Sequence, residues 1–289
     1  MGIFKAAAIQ MRSGKEPDRN AVDVEALVRE AAGRGATYVQ TPEMTGAIVR
    51  DGRDRALAFK PEKDDAVLAA AQRLSAELGI FLHVGSTAIL RSDGKIANRA
   101  FLFAPDGSLA ARYDKIHMFD VDLDNGESWR ESATYQPGAE ALVVDIGAAR
   151  LGFAICYDLR FPQLFRAEAL AGAEVLSVPA AFTRQTGEAH WHILLRARAI
   201  ENGAFVIAAA QGGFHEDGRE TYGHSLIVDP WGRVLAEADN DEPGVIVAEI
   251  DTALSAEARK KIPNLRNARE FSVATAAAAR PAPLRGAAS

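Results

Sequence analysis

Short apolar runs rich in Val, Ile and Phe alternate with longer stretches of helical period along most of the chain, the pattern of an α/β protein. The pattern predicts strands over Phe4–Gln10, Tyr38–Thr41, Phe81–Thr87, Arg99–Ala104, Leu151–Ile155, Val175–Val178, Phe205–Ala210, Ser225–Asp229 and Val245–Ile250. It predicts helices over Asp18–Arg34, Lys63–Leu78, Pro162–Ala171, His190–Asn202 and Leu254–Lys261. Two stretches fold a strand back through a turn, one around Asp106-Gly107 and one around Pro230-Trp231-Gly232. Hairpins imply mixed sheets, and the segment after the first strand, Gln10 to Gly14, has none of the glycine spacing that cradles phosphates. One domain is expected over residues 1–273, followed by a mobile tail over 274–289, where small residues and proline take over.

Composition narrows the class. With 289 residues, 48% of them hydrophobic, the chain can bury a large core. Its 33 basic and 39 acidic residues give a net charge of −6, which disfavours a nucleic acid or an anionic membrane as partner. A single cysteine leaves no intramolecular disulfide and no multi-thiolate metal site. The opening MGIFKAAAIQM reads as a strand, not a signal segment, position 6 is Ala6 where a myristoylation pattern wants Ser or Thr, and no apolar run approaches a bilayer span. The cytoplasm is the expected compartment.

The one thiol, Cys156, stands where a strand (LGFAI) gives way to a helix opened by Pro162. Such a turn can hold a nucleophile clear of the sheet beside backbone N–H groups that face an oxyanion. The alternative is a buried cysteine that merely finishes an apolar strand. Two further polar residues follow strand ends: Glu43 in TPEMTG and Lys115 in RYDKIHMFD, either of which could equally be a surface charge on a loop. Ligands of open α/β sheets gather at such ends. His190 and His192, flanking Trp191, read as a solvated helix start, since no cysteine or carboxylate cluster completes a metal site around them.

Taken together, Glu43, Lys115 and Cys156 resemble the catalytic set of the nitrilase superfamily of carbon–nitrogen hydrolases, in the same chain order, and the resemblance extends over nearly the whole chain. Glu131 in WRESATYQPG resembles the family's second glutamate, and AHWHILLRARAIENGAFVIAAAQGG with TYGHSLIVDPWGRVLA is similar to the Nit branch, which includes omega-amidases and deaminated glutathione amidases. The resemblance implies a four-layer αββα sandwich of two mixed β-sheets, a homodimer or larger homo-oligomer, and no cofactor or metal. It implies an amidase that acts on a small-molecule amide bearing a carboxylate, through a cysteine thioester, releasing ammonia. Deaminated glutathione ranks first as substrate, alpha-keto acid amides second and nitriles third. Glu43 takes the role of general base, Cys156 of nucleophile, and Lys115 with the Tyr157 backbone N–H of oxyanion stabiliser. Glu131 fixes Lys115 or the substrate, and Arg160, at the place where related carbamoyl-amino-acid hydrolases carry an arginine, holds the substrate carboxylate. Met44-Thr45-Gly46 is smaller and more polar than is usual after the first motif, and the acidic segment 120–132 is expected to cap the site or shape its specificity. A catalytically silent binding protein is the competing class; it would have no need of all four residues.

Overall fold

A computed structural model describes residues 2–123, 126 and 128–276. Strand β1 (Ile3–Gln10) leads to helix α1 (Pro17–Gly33) and strand β2 (Tyr38–Gln40); helices α2 (Gly52–Ala58) and α3 (Ala66–Leu78) precede β3 (Phe81–Leu90), β4 (Ile96–Phe103) and β5 (Leu109–Asp114). A small hairpin, β6 (Asp120–Asp122) with β7 (Ser128–Arg130), separates this half from β8 (Val143–Asp145), β9 (Arg150–Phe153), α4 (Pro162–Leu170), β10 (Val175–Ser177) and α5 (Arg184–Asn202). The chain closes through β11 (Phe205–Ala208), β12 (Gly212–Phe214), β13 (Glu220–Tyr222), β14 (Leu226–Val228), β15 (Val234–Glu237), β16 (Gly244–Asp251) and α6 (Ala253–Lys261).

Two six-stranded sheets result, ordered β16-β1-β2-β3-β4-β5 and β15-β14-β11-β10-β9-β8. Each is mixed: β1, β2 and β3 run parallel, as do β9, β10 and β11, with antiparallel strands on both sides. The layering follows from the period-2 alternation of side chains. On β1, Ala6 and Ala8 face a core shared with Leu151, Phe153, Val175 and Phe205 of the other sheet. Ala7 and Ile9 face the opposite way, into a core with Val24 and Val28 of α1 and Leu68 and Leu74 of α3. A strand covered on both faces reads as an unbroken apolar run, which is how AAAI appears in the sequence. The expected αββα sandwich is the fold observed.

Helix ends obey local chemistry. Asp65 caps α3 by accepting the Leu68 N–H at 2.9 Å, and Gly79 ends that helix in the left-handed region at φ 65°. Three departures from expectation have physical causes. Helix α5 begins at Arg184, six residues before the predicted start, because Gly187 lets the helix lie against Tyr222; a Cβ there would sit 2.3 Å from that side chain. His190 and His192 are therefore inside the helix, not at its start, and His192 meets Glu237 at 2.7 Å. Helix α2 buries only Ala58, so its sequence carried no apolar stripe to read. The tail expected over 274–289 lies, from residue 277 onward, outside the described residues.

Candidate active site

Three strand ends converge. After β2 the chain runs through Thr41, whose N–H donates to the His83 carbonyl at 2.9 Å, and delivers Glu43. After β5 the ladder continues for one more bond, Lys115 N–H to the Asn98 carbonyl at 2.9 Å, which aims the lysine side chain inward. After β9, Cys156 donates its N–H to the Pro179 carbonyl at 2.9 Å and takes a left-handed backbone, φ 50°. For a residue with a Cβ that conformation carries a cost of about 1–2 kcal/mol, and the surroundings hold it in place. Asp158, fully buried, accepts from Ile155 N–H at 2.9 Å, Tyr113 hydroxyl at 2.8 Å and His117 N–H at 2.9 Å. One carboxylate thus ties the cysteine turn to the lysine strand.

Side-chain geometry is tight where these ends meet. Lys115 Nζ lies 2.8 Å from Glu43 Oε1 and 2.9 and 2.8 Å from the two oxygens of Glu131. Asn98 Nδ2 bridges the same two carboxylates, at 2.9 Å to Glu43 and 3.1 Å to Glu131. The Ala181 N–H donates to Glu43 Oε2 at 3.0 Å, and the Phe119 N–H to Glu131 Oε2 at 2.7 Å. Glu43, Lys115 and Cys156 are buried, at 4%, 2% and 7% exposure, so each charge depends on its partners.

Protonation follows from that geometry. Burial pushes the Glu43 carboxyl up, but the Lys115 charge and the hydrogen bonds from Lys115, Cys156 and Asn98 outweigh it and hold Glu43 below its ordinary value. Burial pulls Lys115 down, yet the two carboxylates raise it well above the usual lysine range. Burial, then the Glu43 charge, push the Cys156 thiol well up against the opposing pull of Lys115. The resting site is a carboxylate, an ammonium and a neutral thiol.

The cluster lies in a cavity of about 660 Å³. Tyr157 and Arg160 line one wall, with the Arg160 guanidinium 5.3 Å from the Phe182 ring centre and its Nη1 3.3 Å from His190 Nδ1. Ser128, Trp129 and Arg130 line the cavity from β7, so the described part of segment 120–132 is a hairpin that contributes to the site's wall. All six residues singled out from the sequence, Glu43, Lys115, Glu131, Cys156, Tyr157 and Arg160, border this one cavity. Sequence reasoning missed Asn98, Asp158 and the Ala181 N–H. Asn98 left a signal, an amide inside an apolar strand that must find partners; a backbone donor leaves none. Among the described residues, no group of three or more His, Cys, Asp or Glu side chains is placed to hold a metal ion, and no helix is long and apolar enough to cross a membrane.

A thiol, a carboxylate and an ammonium packed at the strand ends of two facing sheets are the equipment of covalent acyl chemistry. The chain belongs to the carbon–nitrogen hydrolase family, whose model matches residues 5–260. It is 40% identical over 266 residues to the deaminated glutathione amidase of Yersinia enterocolitica, covering 91% of this chain and 92% of that protein. Its fold is similar to that of the NitFhit protein of C. elegans, with a TM-score of 0.85 and 34% identity, covering 93% of this chain and 66% of that one; this chain spans about two thirds of the C. elegans protein's length. It also resembles the amidase of Nesterenkonia sp. AN1, with a TM-score of 0.73, 26% identity, and coverage of 90% of this chain and 98% of that one. That structure is a glutamate-to-glutamine mutant showing the Michael addition of acrylamide at the active-site cysteine.

Proposed function

We propose that the protein hydrolyses the C–N bond of a small carboxylate-bearing amide through a thioester on Cys156, with deaminated glutathione as its first substrate and alpha-keto acid amides as the second. The observation that carries this reading is the neutral Cys156 thiol beside a Glu43 carboxylate that also grips Lys115 at 2.8 Å. As the thiol attacks the amide carbon, its proton passes to Glu43, and the oxyanion forms beside Lys115 Nζ and the Tyr157 N–H. Glu43 then gives that proton to the departing nitrogen as the C–N bond breaks. The ammonia expected from the sequence is released only from a primary amide; deaminated glutathione, a secondary amide, releases an amine instead. Water, deprotonated by Glu43, opens the thioester to the carboxylic acid and returns the proton to sulfur. Glu131 contributes by holding Lys115 charged and in place with two hydrogen bonds.

Arg160 is the residue assigned to the substrate carboxylate, since a guanidinium offers two parallel hydrogen bonds and keeps its charge when dehydrated. The reading extends to a homodimer or larger homo-oligomer in the cytoplasm and to a single catalytic domain over 1–273. Relatives named deaminated glutathione amidase support the ranking of substrates. The test follows amine or ammonia release from deaminated glutathione, alpha-ketoglutaramate, neutral aliphatic amides and nitriles, with wild type and Arg160→Lys. The two carboxylate-bearing amides are expected to lead, and Arg160→Lys to cost about 1.5–3 kcal/mol in kcat/KM on them and little on neutral amides. Faster turnover of a nitrile than of any amide contradicts the reading; equal losses on charged and neutral amides remove Arg160 from substrate recognition.

A further inference from the structure

The two oxygens of the Glu43 carboxylate are not equivalent. Oε1 accepts from Lys115 at 2.8 Å and from Asn98 at 2.9 Å, whereas Oε2 accepts one backbone N–H, that of Ala181, at 3.0 Å. Oε2 therefore keeps a lone pair for the thiol proton. The Ala181 N–H also acts on the Cys156 sulfur, so thiol and Oε2 share a neighbour. The group that holds this arrangement from behind is Gln211, fully buried just beyond β11. Here backbone bonds stitch the two sheets together: Met11 N–H to the Ala210 carbonyl at 3.2 Å, Gly212 N–H to the Met11 carbonyl at 2.8 Å, and Gln211 N–H to the Ala180 carbonyl at 2.9 Å. The Ala180 carbonyl and the Ala181 N–H belong to one planar peptide group, so a single rigid unit joins the Gln211 backbone to Glu43 Oε2.

The Gln211 side chain grips the other end of the same residue. Its Nε2 donates to the Glu43 carbonyl at 3.0 Å and to the Ser13 hydroxyl at 2.8 Å, while its Oε1 accepts the Ser13 N–H at 3.0 Å. Ser13 is itself pinned, its hydroxyl donating to the Thr45 carbonyl at 3.2 Å and its carbonyl accepting from His215 Nδ1 at 2.9 Å. The amide can face only one way. The turn it braces needs support, because Met44, the residue after Glu43, takes a left-handed backbone at φ 55°, which a side chain disfavours. We propose that Gln211 is a positioning residue for the base: it clamps the Glu43 main chain with its side chain and the Ala180–Ala181 peptide with its backbone, and so aims Oε2 at the Cys156 sulfur. Gln211 does not border the cavity, so its effect falls on proton transfer and not on substrate binding. This rests on the reading of Glu43 as general base.

The test uses Gln211→Met, which keeps the side chain's length and removes its hydrogen bonds, with two readouts taken per folded molecule. The first is the kinetics of the best amide: kcat is expected to fall about ten- to a hundredfold, the size of a small misplacement of a catalytic group, with KM within about twofold. The second is alkylation of Cys156 by iodoacetamide across pH, which reports one thiol because the chain has one cysteine. Glu43 facing the thiol holds it up, so a base that has swung away lets the midpoint drop towards the ordinary value of about 8.5. In a Glu43→Gln background the same substitution is expected to move the midpoint no further, since the clamp has no charged base left to aim. A residue that only stabilises the fold would lower the unfolding temperature and leave the midpoint where it was. Ser13→Ala, which removes one of the amide's supports and leaves its bond to Glu43, is expected to shift the midpoint in the same direction by less, and it decides the matter if Gln211→Met does not fold. Wild-type kcat and midpoint in folded Gln211→Met, an equal shift in the Glu43→Gln background, or an unmoved midpoint in Ser13→Ala when that variant alone folds, each overturns the clamp. Alkylation needs no substrate, so a wild type that hydrolyses no amide overturns the amidase reading while the midpoints still decide the role of Gln211.

Discussion

At the scale of single residues, the site's protonation makes a prediction that separates two roles for Glu43. Its charge and hydrogen bond hold the Cys156 thiol up, so Glu43→Gln should lower the thiol's pKa, with Lys115 left to favour the thiolate. The same change should abolish amide turnover, because no group remains to protonate the departing nitrogen. Alkylation of Cys156 by iodoacetamide across pH is expected to have its midpoint above the ordinary thiol value of about 8.5 in wild type and a lower one in Glu43→Gln, while kcat falls at least about a hundredfold. An upward shift would mean that Glu43 does not face the thiol. The ion cluster also carries stability with a definite sign. Glu43 is lowered, so its contribution is present above the usual carboxylate range and is lost as pH falls through its folded value. Lys115 is raised, so its contribution is present below the usual lysine range and is lost as pH climbs past its folded value. Glu43, Lys115 and Cys156 could be read from the sequence because each follows a strand and sits in a family motif. Trp129 and the arginines around it could not, since a tryptophan in a polar segment has no period and arginines on loops look solvated.

At the scale of elements, close approaches between segments set the geometry. Gly85 on β3 faces the chain that delivers Glu43: a Cβ there would lie 2.1 Å from the Thr41 carbonyl, 2.4 Å from Pro179 Cβ and 2.7 Å from the Pro42 carbonyl. Two of those atoms are backbone and cannot swing away. Gly85→Ala is therefore expected to cost about 1–3 kcal/mol in thermal or urea unfolding and to lower kcat along with it, since the strain falls on the Glu43 and Cys156 supports together. Wild-type stability and activity in that variant would show that the segments are not held as tightly as described. Strands β1, β3, β9, β10 and β11 were legible because apolar runs on both faces leave a dense pattern. The strands β6 (DVD), β7 (SWR), β12 (GGF) and β13 (ETY) were not, because polar residues and glycines leave no apolar run to read, and α2 buries too little to display a stripe.

At the scale of the whole molecule, α5 leaves Ile193 and Ile200 exposed at 70% and 53%, two turns apart on one face. Apolar side chains repeated on an exposed helix face are a natural seam between copies of a chain. Sedimentation equilibrium is expected to find a dimer or a larger even assembly, and Ile193→Asp with Ile200→Asp to shift it to monomer; a monomeric wild type contradicts the oligomer proposed here. The layered fold itself was visible in the alternation of strands and helices, but the way two sheets close on one another was not, since facing cores such as Ala8 with Phe205 join residues far apart in the chain. In the proposed mechanism all of this architecture serves one covalent step. Its most direct test is kcat of folded Cys156→Ala on the best carboxylate-bearing amide. The mechanism predicts less than about a hundredth of wild-type turnover, because positioning alone does not replace a nucleophile. Retention of more than that, with the variant's fold intact, would contradict catalysis through Cys156.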